Sequence, residues 1–285
     1  MARRALKGKV VAITGGGRGI GLAIARRLSE AGARISLGDI DAPLAAQVAT
    51  LLGGVGLPLD VRDRASFRAF LEATEQALGP VDVLINNAGI MPAGDFLAED
   101  DDLSDTQIDI NFRGVIHGCK LVLPGMLARA QGHVVNVASM AGRVAVPGLA
   151  VYCGTKFAVV GFTETLREEY RDSGVQFTTV MPSKVTTELA SGTELAGRGI
   201  PTASPEQVAE AVFDALEEQL PEVTVPRYLS VAAPLQGVAP LRLLRGVRRL
   251  FGDRRILEQM DGTARAGYTQ RINALSARGS KRGAS

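Results

Sequence analysis

The stretch Thr14-Gly15-Gly16-Gly17-Arg18-Gly19-Ile20-Gly21 decides the fold of this chain of 285 residues. It follows the β-branched run 10–13 and precedes the apolar segment 22–28, which has the pattern of a helix. Its spacing is T-G-x-x-x-G-x-G, because Ile24 stands where a G-x-G-x-x-G pattern would need its third glycine. Glycines between a strand and a helix let the backbone approach a pyrophosphate at the helix N-terminus, so the sequence predicts a phosphate-binding loop.

Strands and helices alternate along the chain beyond this loop. The pattern predicts strands near residues 33–38, 56–59, 81–85, 134–138, 175–181 and 223–225, separated by helices at 43–52, 63–78, 103–130, 151–173 and 205–220. Such alternation is typical of an α/β fold, here a Rossmann-like doubly wound parallel sheet of about seven strands with helices on both faces. The polar residues that end the strands should therefore gather along one sheet edge, namely Thr14, Asp39, Asp60, Asn86 and Ser139.

A tyrosine and a lysine stand four residues apart at Tyr152 and Lys156. On a helix this spacing places both side chains on one face. We expect the ammonium to favour the phenolate and so to lower the tyrosine pKa from its free value of about 10, which would allow proton transfer near neutral pH.

Six motifs follow one another in the order of a known family. They are T-G-x-x-x-G-x-G at 14–21, N-N-A-G at 86–89, Asn111, Ser139, Y-x-x-x-K at 152–156 and the segment P-S-K-V-T-T at 182–187. Over residues 7–226 the chain resembles the short-chain dehydrogenases/reductases (SDRs) of the compact, single-domain type. Two positions depart from that pattern, since Ser183 replaces the usual glycine and the interior of Y-x-x-x-K is Cys-Gly-Thr.

The resemblance implies a role for each of four catalytic residues. Tyr152 is the acid and base on the substrate oxygen, and Ser139 hydrogen-bonds that oxygen. Lys156 lowers the pKa of the tyrosine and binds the nicotinamide ribose, while Asn111 positions a water molecule for proton relay. The implied activity is hydride transfer between a nicotinamide cofactor and a secondary alcohol or ketone.

The resemblance also implies a cofactor site, whose residues are Gly15, Arg18, Gly19, Ile20, Gly21, Asp39, Asp60, Val61, Asn87, Ala88, Gly89, Tyr152, Lys156, Pro182, Val185 and Thr187. Asp39 favours NAD, because its carboxylate can accept both adenosine ribose hydroxyls and would repel the extra phosphate of NADP. Arg18 points the other way, since a basic residue in the glycine loop can bind that phosphate, so NADP stays open as the second cofactor.

The substrate is less well defined than the reaction. The loop 186–203, which covers the substrate in the family, contains Leu189, Leu195 and Ile200, and Ile90 and Met91 add apolar surface. These residues indicate an apolar alcohol or ketone such as a lipid, terpenoid or steroid. Two alternatives are a non-redox NAD-dependent epimerase or dehydratase and a non-catalytic NAD-binding protein. The glycine spacing disfavours the first, and the complete catalytic set disfavours the second.

The composition fits one large core, because 46% of the residues are hydrophobic. Only two cysteines are present, which is typical of a reducing compartment, and we expect a cytoplasmic protein. With two histidines and no cysteine cluster we expect no metal site. By resemblance the chain forms a homodimer or homotetramer.

The last sixty residues differ in charge from the rest of the chain. Residues 226–285 hold twelve Lys and Arg but three Asp and Glu, whereas the whole chain has a formal net charge of +2. We predict a catalytic domain at 1–226, a basic amphipathic helical extension at 227–276 and a disordered tail at 277–285. The apolar half of a helix at 241–251 would pack on protein, or else bind an anionic membrane as a peripheral contact. We expect no nucleic-acid partner, since interleaved aromatic residues are missing.

Overall fold

The computed structural model describes residues 6–193, 201–231 and 260–280. These residues contain the strands β1 Val10–Thr14, β2 Arg34–Asp39, β3 Val55–Pro58, β4 Val83–Asn86, β5 Gly132–Val137, β6 Val175–Pro182, β7 Lys184–Val185, β8 Thr202–Ala203 and β9 Glu222–Val225. Seven of them form one sheet in the order β3-β2-β1-β4-β5-β6-β9, and every pair is parallel. The predicted Rossmann-like sheet of about seven strands is confirmed.

The strand order reverses between β1 and β4, which are neighbours in the sheet. Ile13 of β1 is in register with Leu37 on one side and with Ile85 on the other. In an open parallel sheet this reversal leaves a crevice outside the carboxyl ends of the two strands, where ligands bind. Thr14 and Asn86 end the two strands and therefore lie at the mouth of this crevice.

The helices are α1 Gly19–Glu30, α2 Ala42–Leu51, α3 Arg64–Leu78, α4 Asp101–Ile108, α5 Gly114–Ala128, α6 Ala150–Glu169, α7 Pro205–Glu218 and α8 Gly262–Ser280. They cover both faces of the sheet, because two separate apolar clusters flank it. One cluster contains side chains of α1, α2 and α7, such as Phe213. The other contains side chains of α3, α5, α6 and α8, such as Phe67 and Ile272. Each fully buried large apolar side chain stabilises the fold by about 1.5–3 kcal/mol.

Helix starts follow capping residues in the sequence. The Ser204 hydroxyl accepts the N–H of Gln207, the Gln207 side chain accepts the N–H of Ser204, and Pro205 occupies the first turn of α7. Asp63 caps α3 in a similar way, because its carboxylate accepts the N–H groups of Ala65 and Ser66. These caps place both helices where the residue pattern predicts them.

The helix predicted at 103–130 is interrupted. A single π-helical turn, Asp109–Arg113, lies between α4 and α5, and Asn111 stands at its centre. A π turn inserts one extra residue and often marks a functional site, because it turns a side chain that a regular helix would direct elsewhere.

The C-terminal part of the described chain is the helix α8, which packs against the helices of the second cluster through Tyr268 and Ile272. It continues through Ser280, so residues 277–280 of the predicted disordered tail are helical. The amphipathic segment predicted at 241–251 lies outside the described residues. Within those residues, every helix is too short or too polar to cross a bilayer.

Candidate active site

The glycine loop between β1 and α1 depends on glycine for its shape. Gly15 and Gly19 have φ angles of 63° and 53°, which side chains rarely tolerate. A β-carbon on Gly21 would lie 2.2 Å from the carbonyl oxygen of Gly15, so a side chain there would disrupt the turn. Gly15, Gly19 and Ile20 line a large cavity, and the N-terminus of α1 is therefore open to an anion.

The segment that follows β4 holds this glycine loop in place through hydrogen bonds. The Asn87 side chain donates to the carbonyl oxygens of Thr14 and Gly15, both at 3.0 Å. In return the Thr14 hydroxyl oxygen accepts the N–H groups of Asn87 and Ala88, also at 3.0 Å. Asn87, Ala88 and Gly89 line the cavity. The Asn87 amide group itself holds the segment after β4 against the glycine loop.

Asp39 lies at the end of β2 and is buried. One carboxylate oxygen accepts the N–H of Gly17 and the other accepts the N–H of Asp41, both at 3.0 Å. These bonds hold the carboxylate against the glycine loop at the cavity wall. Each oxygen keeps a second lone pair, so Asp39 can still accept hydroxyl groups from a ligand.

Arg18 is directed toward acidic partners on both sides of the cavity mouth. Its guanidinium donates to the Asp41 carboxylate at 2.7 Å and lies 3.9 Å from the Glu188 carboxylate. Its charge is therefore already balanced beside Asp39. This pairing weakens the argument that Arg18 serves as a phosphate site.

Asp60, which the family resemblance places beside the adenine, forms a partly buried ion pair. The Arg62 guanidinium donates to both oxygens of Asp60, at 2.9 and 2.8 Å, and this hydrogen bonding raises the pKa of Arg62. Arg62 also donates to the carbonyl oxygen of Leu275 on α8 at 2.9 Å. Asp60 and Val61 line the cavity together with Arg62, which the motif comparison did not single out.

Tyr152 and Ser139 meet at the opposite end of the cavity. Tyr152 lies on the first turn of α6, Ser139 follows β5, and the serine hydroxyl hydrogen-bonds the phenol. Burial raises the pKa of Tyr152 and the bond to Ser139 opposes this rise. The direction is opposite to the one predicted from the i, i+4 lysine, because burial is the largest influence on the pKa of this phenol.

Lys156 reaches under the tyrosine from the next turn of α6. Its Nζ atom donates to the carbonyl oxygen of Val137 at 2.9 Å and lies 5.7 Å from the centre of the Tyr152 ring. Burial lowers its pKa to about 8. A β-carbon on Gly89 would lie 3.6 Å from Nζ, so the absence of a side chain there keeps the ammonium open to the cavity.

Asn111 does not line the cavity. Its side-chain oxygen accepts the N–H of Ile90 at 2.8 Å, and its amide nitrogen donates to the Ile90 carbonyl oxygen at 2.8 Å and to Thr155 at 3.2 Å. The side chain is fully buried. It therefore ties the segment after β4 to α6, a role that differs from the water relay implied by the family resemblance.

The segment after β6 forms the third wall of the cavity, to which Pro182, Val185 and Thr187 contribute. Ser183, the departure from the family pattern, donates its hydroxyl to the carbonyl oxygen of Pro201 at 2.6 Å. Its N–H donates to Val225 at 2.8 Å. The hydroxyl thus forms a bond to Pro201 that a glycine at position 183 could not make.

Helix α8 closes one side of the cavity, and we call it the roof helix. Its residues that line the cavity are Tyr268, Arg271, Ile272 and Leu275. The Tyr268 hydroxyl oxygen accepts the N–H of Met91 at 2.7 Å, and Arg271 pairs with Glu188 at 2.5 Å.

Arg265 anchors this roof from inside the protein. Its guanidinium is buried and donates to the carbonyl oxygens of Leu189, Ser191 and Met91. The residue pattern did not predict that α8 closes the cavity, because a charged residue, Arg265, occupies one of its buried positions. A helix pattern that scores only apolar residues cannot register it, although Arg265, Tyr268 and Ile272 have helical spacing.

The cavity that these elements enclose has a volume of about 580 Å³. It runs from Asp39 and the glycine loop to Ser139, Tyr152 and Lys156. The glycine turn, the open N-terminus of α1 and the buried carboxylate of Asp39 fit the pyrophosphate and ribose of a dinucleotide. Among the described residues, His, Cys, Asp and Glu side chains nowhere assemble in the groups of three that a metal ion requires.

Known proteins share this architecture. In a crystal structure of a short-chain dehydrogenase/reductase from Burkholderia phymatum in complex with NAD, 93% of the chain superimposes on 81% of this one, with a TM-score of 0.75 and 27% identity.

Sequence relatives extend over most of the chain. The 2-(S)-hydroxypropyl-CoM dehydrogenase 3 of Xanthobacter autotrophicus is 37% identical over 77% of this chain and 93% of its own length. The oxidoreductase SadH of Mycobacterium tuberculosis is 34% identical over 86% of this chain and 97% of its own. The family model of the short chain dehydrogenases matches residues 9–196. The chain therefore belongs to the short-chain dehydrogenase/reductase family of oxidoreductases.

Proposed function

We propose that the chain is an NAD-dependent oxidoreductase that transfers a hydride between the nicotinamide and an apolar secondary alcohol or ketone. One observation carries the proposal: a single cavity joins the glycine loop and Asp39 to Ser139, Tyr152 and Lys156. A non-catalytic NAD-binding protein would need only the first of these groups.

NAD is the better match to the adenosine end of the cavity. The Asp39 carboxylate is held there by two backbone N–H groups, and Asp41 stands beside it. A 2′-phosphate would meet both carboxylates, while Arg18 is already paired with Asp41. The repulsion between a phosphate and a buried carboxylate is larger than the gain from a half-exposed arginine.

The chain's own residues supply proton transfer and orientation. When bound, the nicotinamide donates or accepts the hydride. Because burial raises its pKa, the Tyr152 phenol holds its proton at neutral pH and can donate it to the oxygen of a ketone. In the direction of oxidation the phenol has to lose its proton, and the Ser139 hydrogen bond favours that form.

Lys156 and Ser139 position the reacting groups around the phenol. The Lys156 ammonium, facing the open space beside Gly89, can donate to a ribose hydroxyl. The Ser139 hydroxyl can bond the substrate oxygen next to Tyr152. Asn111 acts through Ile90 and Thr155, and we assign it a positioning role.

The substrate end of the cavity is predominantly apolar. Beyond Tyr152 its lining residues are Met91, Met140, Val144, Val146, Leu149, Leu189, Tyr268 and Ile272. Such a surface binds hydrocarbon by excluding water. A 2-hydroxypropyl group, which the name of one relative contains, is a secondary alcohol and supports the same reaction type.

A second copy of the chain is the expected partner. Ile108 of α4 and Phe157 of α6 are 39% and 45% exposed, and the two helices pack side by side. Covering such apolar groups favours association.

A substrate panel tests the proposal. The purified protein is incubated with linear, cyclic and steroidal secondary alcohols and NAD⁺ or NADP⁺, and absorbance at the NADH band is followed. We expect steady turnover with NAD⁺ and a preference for apolar alcohols. Cofactor binding without turnover on alcohols or on the matching ketones with NADH would contradict the enzyme assignment.

A further inference from the structure

The mouth of the cavity carries an arginine that the family motifs do not include. Arg271 lies on α8, outside the matched residues 9–196, and its side chain is 39% exposed at the cavity wall. Its guanidinium pairs with Glu188 at 2.5 Å. Glu188 also lies 3.9 Å from Arg18, so one carboxylate links the roof helix to the glycine loop.

This carboxylate stands beside the N-terminus of α1. Glu188 follows Thr187, whose methyl group would lie 3.5 Å from a β-carbon on Gly19, the first residue of that helix. A dinucleotide places its pyrophosphate at this helix N-terminus. The Arg271 guanidinium is therefore held by a residue that borders the pyrophosphate position.

The other cations of the described cavity wall have partners of their own, as Arg271 has in Glu188. Lys156 donates to Val137, Lys184 donates to Thr193, and Arg62 binds Asp60. Arg18 donates to Asp41 at 2.7 Å, on the ribose side of the loop. Within the described wall, Glu188 holds Arg271 and Arg18 beside the N-terminus of α1, and of these two only Arg18 is also bonded to Asp41.

From this arrangement we infer that Arg271 binds the pyrophosphate of the dinucleotide and so makes the roof helix part of the cofactor site. The inference rests on the proposed function. Glu188 then competes with the cofactor for the same guanidinium, because a carboxylate and a phosphate are alternative partners for one fork of N–H donors.

Competition predicts opposite effects for two variants that break the same ion pair. Arg271→Gln removes the cation and should weaken binding of ADP-ribose and NADH about tenfold or more, as expected for a charge-assisted hydrogen bond. Glu188→Gln releases the cation and should tighten ADP-ribose binding several-fold. In the double variant the gain from Glu188→Gln should disappear.

Calorimetry with ADP-ribose and fluorescence titration with NADH measure these affinities, and no turnover is needed. Arg271→Lys keeps the charge but loses the fork of N–H donors, so its affinity should fall between those of the wild type and Arg271→Gln. Gln270→Ala, an exposed neighbour outside the cavity wall, should match the wild type. Melting temperatures verify that each variant is folded. If Arg271 serves only to hold the roof, both single variants should weaken binding together, and that result overturns the inference. A wild type that binds neither ligand overturns the proposed function itself.

Discussion

The backbone N–H of Met91 donates to the hydroxyl oxygen of Tyr268 across 2.7 Å, joining residues 177 positions apart in the sequence. This bond ties the roof helix to the segment that follows β4, and both residues line the cavity. Burial raises the pKa of Tyr268 to about 12, so its phenol keeps its proton at neutral pH and stays a hydrogen-bonding group at the cavity wall.

Replacing Tyr152 with phenylalanine tests the proton transfer. The change removes the phenol hydroxyl but keeps the ring that packs in the apolar cluster with Leu149 and Cys153. We expect kcat to fall by about 10²–10⁴-fold while NADH affinity stays within a factor of about three. Tyr228→Phe, at a tyrosine that is 64% exposed, is the matched control and should retain full activity. Substantial turnover by Tyr152→Phe would show that another group supplies the proton.

Cofactor preference should depend on Asp39. Asp39→Ala removes the carboxylate that would repel a 2′-phosphate, so we expect NADP⁺ affinity to rise and NAD⁺ affinity to fall. Each change should be about tenfold, which corresponds to about 1.4 kcal/mol. Asp41→Ala, which frees Arg18 from its 2.7 Å ion pair, should raise NADP⁺ affinity without much loss for NAD⁺. Titration of both cofactors measures these shifts, and a wild type that prefers NADP⁺ would reverse the assignment.

The roof helix should depend on Arg265 for its position. Arg265→Ala removes the donors for three backbone carbonyl groups in a buried site, which should cost about 3 kcal/mol or more. We expect faster hydrogen exchange across residues 262–280 and weaker NADH binding, with smaller effects in the central sheet. Gln270→Ala on the exposed side of the same helix is the control. Unchanged exchange in Arg265→Ala would mean that apolar packing alone holds the helix.

Acid stability should reflect His133. Its Nε2 atom lies 2.8 Å from the Thr178 hydroxyl, and burial lowers its pKa from 6.5 to about 4. Between these values the unfolded chain binds a proton that the folded chain does not, so the free energy of unfolding falls as pH decreases from 6.5 to 4. The loss should approach about 3 kcal/mol. His133→Asn should show a shallower decline in thermal unfolding experiments; parallel curves would contradict this.

Much of the fold could be predicted because its signals are local. The glycine loop, the apolar strand runs and the capping residues each act over a few positions, and residues at the strand ends meet at one edge because the strands are parallel. Asp39, Ser139, Tyr152 and Lys156 accordingly reach one cavity. The family assignment from the ordered motifs is confirmed by the matched model and the relatives.

The features that the sequence did not predict depend on burial and on contacts between residues far apart in the chain. The i, i+4 spacing shows that Lys156 is near Tyr152, but only the fold shows how deeply both are buried, and burial sets the direction of the tyrosine pKa. The π turn around Asn111 interrupts a segment of helical pattern, and Gly114 directly after it does not by itself reveal a π turn, since a helix continues from that residue. Arg62 donates to the carbonyl oxygen of Leu275, which lies 213 positions away in the sequence, so no local pattern could reveal this contact.

The roof is held largely by backbone groups of the segments beneath it. Arg265 donates to the carbonyl oxygens of Met91, Leu189 and Ser191, and Tyr268 accepts the N–H of Met91. Every residue type carries a carbonyl group, and every type except proline carries an N–H. Side chains at these three positions can therefore diversify, in natural lineages or in a directed-evolution library, while the anchor persists. The protein can acquire new substrates by changing the lining of its pocket without redesigning the helix that closes it.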